Sequence, residues 1–125
     1  MSKNILFVHG GGEGAHEADS RLAESLRKAL GEGCTVHNPP MPNEDAPDYT
    51  AWKDTILATL ATSGGEWLLV GHSFGGTVLA KFLSEAPAAC TISGLFLIAA
   101  PYFGAPDWEV DEYTLTREAA ARIPA

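Results

Sequence analysis

The sequence predicts a three-layer α/β/α sandwich built on a parallel sheet. Three observations carry that prediction. Short apolar runs alternate with amphipathic stretches along the 125 residues, and two of those runs end in glycine-rich turns. The last run, Ser93-Gly-Leu-Phe-Leu-Ile-Ala-Ala100, is apolar without alternation, the pattern of a strand covered on both faces. The order reads β-α-β-α-β-α-β-α, and right-handed crossovers make that a three-layer parallel sheet; the strand order expected for it is 2-1-3-4.

Asn4-Ile-Leu-Phe-Val8 is rich in β-formers and closed by His9-Gly-Gly-Gly12, which reads as a buried strand and a turn. In the helix that follows, Leu22, Leu26 and Leu30 recur every four residues. Glu17 and Asp19 sit near its start, Arg27 and Lys28 near its end, and Gly31 and Gly33 stop it. Cys34-Thr-Val-His-Asn38 is a weaker strand, expected at an edge because it runs into Pro39-Pro-Met-Pro42. Tyr49, Trp52, Ile56 and Leu60 mark a second helix, begun near Asp48 and ended by Ser63-Gly-Gly65. Trp67 to Val70 is the third strand. After the turn Gly71-His-Ser-Phe-Gly-Gly76, residues Val78, Leu79, Phe82 and Leu83 give a third helix closed by Pro87. The run at 93–100 is the fourth strand, followed by a loop with Pro101, Gly104 and Pro106 and a short helix around Thr116 to Ile123.

The length fits a single domain, residues 1–125. The formal net charge of -8 is spread evenly, with nine acids against five bases through residue 60 and seven against three beyond. That balance argues against nucleic acid and against anionic membrane surfaces, both of which call for a basic footprint, and favours a small-molecule substrate. Cys34 and Cys90 match no metal or redox spacing and read as reduced, packed thiols. No metal or organic cofactor is implied. With no leader pattern and no run of membrane-spanning length, the expected compartment is the cytoplasm.

Gly71-His-Ser-Phe-Gly75 has the spacing Gly-x-Ser-x-Gly between a strand and a helix. A sharp turn there presents Ser73 above the sheet as a nucleophile, with Gly71, Gly75 and Gly76 relieving crowding. The N–H of Phe74, at the helix start, is positioned to bind an oxyanion, and a second donor is expected from Gly11 or Gly12 in the earlier turn. Spacing alone would suit a bland glycine-rich turn. The preceding strand, the following helix and the earlier His-Gly-Gly-Gly supply the context that nucleophile chemistry needs. If the first and third strands are neighbours, both turns line one crevice at the strand carboxyl ends.

His9-Gly-Gly-Gly-Glu-Gly-Ala15, Pro40-Met-Pro-Asn-Glu44, Gly71-His-Ser-Phe-Gly-Gly76 and Ala99-Ala-Pro-Tyr-Phe-Gly104, in this order, resemble the small bacterial serine hydrolases of the α/β-hydrolase superfamily, in the YdeN-like branch related to the retinoblastoma-binding serine hydrolase. The resemblance covers essentially the whole chain. It implies an α/β-hydrolase fold and hydrolysis of an ester or related acyl bond through a Ser73 acyl-enzyme, with Phe74 and Gly11 as oxyanion donors. The sequence departs from that family in one respect: the triad runs serine, acid, histidine, yet His9, His16, His37 and His72 all precede Ser73. Family members continue into further strands whose ends carry the acid and the histidine. The expectation is therefore an incomplete domain, impaired as this chain alone, through truncation, a natural split or an incomplete gene. The fourth strand would then be an open edge where a second copy or a partner chain docks.

Each remaining candidate has a plainer reading beside the functional one. His9 as base competes with a histidine that shapes the oxyanion turn through backbone hydrogen bonds. His72, beside the serine, reads as elbow support through packing. His16 is the substitute base on the loop above the crevice, or a solvent-facing residue near a helix start. His37 belongs to the edge strand. Asp107 follows the fourth strand where an acid could sit, among Trp108-Glu-Val-Asp-Glu112, which reads equally as a solvated face. The segment Pro101 to Tyr113 could wall an acyl site or pack on its own aromatics. Two rivals keep other functions open. Gly10-Gly-Gly-Glu-Gly-Ala15 fits Gly-x-Gly-x-x-Ala of a dinucleotide site but lacks the later ribose-binding acid. A non-catalytic scaffold, or half of a two-chain hydrolase, would keep the fold without turnover.

Overall fold

The structure, a computed structural model, describes residues 3–85 and 91–100. Its strands are β1 (Lys3–Val8), β2 (Cys34–His37), β3 (Glu66–His72) and β4 (Thr91–Ile98), and its helices α1 (Ala15–Leu30), α2 (Tyr49–Leu60) and α3 (Phe74–Ser84). All strand pairs are parallel and the order is β2-β1-β3-β4, as the sequence predicts. The expected helix at 116–123, the loop at 101–113 and Cys90 lie outside the described residues.

Alternation along β1 divides the core. Leu6 and Val8 join Trp67 and Leu69 of β3 under α2 and α3, whereas Ile5 and Phe7 join Val36 and Val70 under α1. Helices therefore cover both faces of the sheet, and β1 and β3 are buried because each has a helix above and below it.

The second helix forms as read. Tyr49, Trp52, Ile56 and Leu60 are all buried, and the Asp48 carboxylate caps it by accepting the Ala51 N–H at 3.1 Å. The first helix differs. Its buried residues are Asp19 and Ala23; Leu22 and Leu26 only flank that face, and Leu30 is exposed. A strict four-residue repeat drifts around a helix that turns every 3.6 residues, so the leucine ladder walks off the sheet by its last member.

Among the described residues the fourth strand is the outermost on its side of the sheet, and its burial departs from the expectation for its apolar run. Phe96 is 56%, Leu97 48% and Ile98 40% exposed. The chain direction across the sheet reverses between β1 and β3, and the two glycine-rich turns leave the sheet side by side there.

Candidate active site

β3 runs straight into the elbow. Ser73 has φ 52° and ψ -125°, an uncommon conformation for a residue with a side chain, and α3 begins at the next residue. Two hydrogen bonds hold the turn: the Ser73 N–H donates to Ile98 O at 2.8 Å, and the Gly76 N–H donates to Ser73 O at 3.0 Å. The flanking glycines are demanded by contact. A Cβ on Gly71 would lie 2.4 Å from the Gly76 Cα, and one on Gly75 would lie 2.2 Å from the Val8 carbonyl oxygen. The latter contact shows how closely the start of α3 is pressed onto the end of β1.

The turn after β1 lies against this elbow at two points. A Cβ on Gly10 would be 3.4 Å from the Ser73 Cβ, and one on Gly11 would be 3.3 Å from the Phe74 ring. His9 is fully buried beneath the turn. Its Nε2 accepts the Met41 N–H at 2.9 Å, so Nδ1 carries the proton and donates to Gly10 O at 2.7 Å. Burial holds the His9 pKa below its ordinary value, consistent with a neutral ring that has a use for both nitrogens. The Gly10–Gly11 peptide bond is trans, so a Gly10 carbonyl directed at His9 turns the Gly11 N–H the opposite way, off the core.

The Gly12 N–H, the alternative donor, is committed to the Glu44 carbonyl oxygen at 2.6 Å. The carboxylate of Glu44 takes the Gly14 N–H at 2.9 Å and the His16 N–H at 3.0 Å. Those donors, His16 first, hold its pKa below the usual carboxylate range. The start of α1 is thus filled by a side chain of the chain itself, which leaves no open helix N-terminus for a pyrophosphate at the Gly-x-Gly-x-x-Ala turn.

The other histidines are engaged elsewhere. His16 Nε2 donates to Asn38 O at 3.0 Å, and His37 Nε2 is 3.2 Å from Asn4 Oδ1 on the outer strand pair. His72 does more than pack: its Nδ1 donates to Asp19 Oδ2 at 2.8 Å. Among the described residues no histidine is hydrogen-bonded to the Ser73 hydroxyl, and no group of three His, Cys, Asp or Glu side chains could hold a metal ion. Asp107 lies outside the described residues.

Sequence reasoning missed three contributors. Trp52, read as helix core, stands edge-on to both His9 and Phe74, with centroids 5.3 and 5.4 Å away, and donates its indole N–H to Pro42 O at 2.8 Å. Glu44 was visible only as part of a quoted motif, and Asp19 only as a helix-start acid. Their partners are distant in sequence, so no local pattern announced them. No helix among the described residues is long and apolar enough to cross a membrane.

A model described as "Alpha/beta hydrolase family" matches residues 5–125. None of the curated proteins matches the chain. Among solved structures, the ydeN gene product of B. subtilis is similar at 21% identity and TM-score 0.63, over 93% of this chain and 61% of that one. A pyrethroid hydrolase from Sphingobium faniae JZ-2 is similar at 23% identity and TM-score 0.55, over 85% and 42%. A structure reported with LipS and LipT, two metagenome-derived lipolytic enzymes, is similar at 20% identity and TM-score 0.57, over 84% and 45%. At these identities the likeness speaks to the fold. The chain spans about two fifths to three fifths of the length of these structures.

Proposed function

Because the chain belongs to the alpha/beta hydrolase family, we propose that it carries the nucleophile half of a carboxylesterase-like serine hydrolase, within the YdeN-like branch. One observation carries the reading: Ser73 is held at positive φ on the tip of a strand-to-helix turn, in contact with the turn that bears the Gly11 N–H. Ser73 Oγ attacks the acyl carbonyl, and the Gly11 and Phe74 N–H groups receive the oxyanion. The alcohol leaves with a proton, and water then releases the acid from Ser73. Of the two first-turn candidates Gly11 is the donor, because the Gly12 N–H is spent on Glu44.

The base is a histidine outside these 125 residues: His9 has both ring nitrogens engaged, and among the described residues none of the four histidines is hydrogen-bonded to the Ser73 hydroxyl. A serine without its base loses on the order of a millionfold in rate, so the chain alone is expected to turn over esters no faster than its Ser73→Ala variant. The likeness to hydrolase and lipolytic structures supports the reaction class. The dinucleotide reading is not favoured, with Glu44 occupying the helix start it requires.

Intact mass after exposure to a fluorophosphonate, with and without added imidazole as a soluble base, tests both halves. The expected result is slow labelling that imidazole accelerates and Ser73→Ala abolishes. No imidazole-dependent Ser73 adduct would overturn the nucleophile. Fast labelling without imidazole would overturn the missing base.

A further inference from the structure

We propose that Asp19 is a positioning residue that locks the oxyanion turn to the nucleophile elbow. The proposal rests on the reading of Ser73 and Gly11 above. Asp19 stands in the second turn of α1, 8% exposed on the helix face that covers the sheet. Its Oδ2 accepts two hydrogen bonds, from the Gly10 N–H at 2.8 Å and from His72 Nδ1 at 2.8 Å. Gly10 precedes the donor peptide and His72 precedes the nucleophile, so a single oxygen atom joins the two segments whose spacing decides whether an oxyanion fits.

The place of this tie matters. The parallel pairing of β1 with β3 ends at Val8 and Gly71, and beyond that pair the strands turn apart into their separate loops. The carboxylate takes over where the ladder stops. Gly10 is then held from both sides: Asp19 takes the N–H of the His9–Gly10 peptide and His9 Nδ1 donates to the carbonyl of the Gly10–Gly11 peptide, so the two planes that meet at the Gly10 Cα are both tied, and the second carries the Gly11 N–H. A Cβ on Gly10 would meet Asp19 Oδ2 at 3.6 Å and Ser73 Cβ at 3.4 Å, so acid, turn and nucleophile form one packed stack. A carboxylate suits this post because charge-assisted bonds to N–H donors are short and strong. Asparagine can offer one oxygen in the same place; alanine offers none. On the His72 side, asparagine places an N–H donor where the imidazole Nδ1 stands.

Imidazole-assisted labelling of Ser73 by the fluorophosphonate, resolved into a maximal rate and a half-saturating concentration, separates positioning from simple support of the fold. Asp19→Ala should lower the maximal rate by about 10- to 100-fold, by analogy with the loss of partners that orient metal ligands, with half-saturation little changed. Asp19→Asn and His72→Asn should stay within a few-fold of the parent. In the same proteins, the Gly10 and Gly11 amide resonances should shift, and Gly10 amide exchange should quicken, in Asp19→Ala far more than in Asp19→Asn. A folded Asp19→Ala with the parent's labelling rate and unshifted Gly10 and Gly11 amides overturns the proposal. If Asp19→Ala fails to fold, His72→Ala takes its place, and a parent-like rate with unshifted Gly10 and Gly11 amides overturns the proposal equally. If the parent itself shows no Ser73 adduct, the nucleophile reading fails; the amide resonances then decide the Asp19 lock alone.

Discussion

Ser73 pays for its exposure in backbone conformation. A non-glycine residue held at φ 52° and ψ -125° costs on the order of 1–3 kcal/mol. Ser73→Gly should therefore raise unfolding stability by about 1 kcal/mol, whereas Ser73→Ala, which keeps the Cβ, should leave it nearly unchanged. Denaturant titration of both variants checks this; equal stabilities would mean that the turn is not strained. His9 and His37 supply a pH dependence. Burial is the main cause of lowered pKa at both, with the Arg27 charge adding to it at His37. In the unfolded chain both titrate near 6.5, so below that pH the unfolded state binds more protons and stability falls. The denaturation midpoint should drop between about pH 7.5 and about pH 5.5, the range in which histidine charges. His9→Gln, which can still take the Met41 N–H through an oxygen, should show a shallower drop, and an unchanged slope would clear His9 of the effect. At this scale the sharp strand-to-helix turn at Ser73 was legible because its motif is local. Asp19 was not, since an acid in a first or second helical turn already has a sufficient explanation in the helix dipole.

The elbow shows why an element can be legible from its glycines. Gly75 lets α3 begin against the end of β1, with the Val8 and His9 carbonyl oxygens 2.2 and 2.4 Å from any added Cβ. Gly75→Ala should cost about 3 kcal/mol or more, because backbone rather than a movable side chain blocks the methyl group. Thermal unfolding of that variant decides it, and a loss below about 1 kcal/mol would show that the strand and helix part easily. The N-cap of α2 is gentler: Asp48→Ala should remove about 1 kcal/mol by leaving the Ala51 N–H to water. Both elements were read correctly because spacing and stop residues act within a few positions. The first helix was read correctly in extent but not in face. Its leucines suggested one stripe, while the sheet selects Ala23 and the charged Asp19, which is buried because the turn and His72 satisfy it.

At the scale of the whole molecule, the alternation of strands and helices was enough to announce a parallel sheet, whereas handedness fixes the face a crossover takes and not the strand order, which was expected together with the family likeness. A base for the proposed nucleophile was out of reach of the same logic: a base is found by what touches the serine, and among the described residues no histidine is hydrogen-bonded to the Ser73 hydroxyl. The sheet's outer strand adds a property that charge alone would hide. Thr91–Ile98 carries no charged residue and no proline, the devices that usually guard an edge, and it exposes Phe96, Leu97 and Ile98. Against that attraction stands a net charge of -8 on each copy. Mutual repulsion is long-ranged at low salt and shrinks to about 3 Å at 1 M, whereas burial of apolar edge residues is not weakened by salt. Association of one copy with a second through β4 should therefore increase as salt is added, the reverse of what charge-paired association would do. Sedimentation velocity across concentration at about 0.01 M and about 1 M salt reads this directly. Leu97→Lys, which adds an edge charge, should hold the chain monomeric in both, and a parent that stays monomeric at high salt and high concentration would show that the exposed edge is not adhesive.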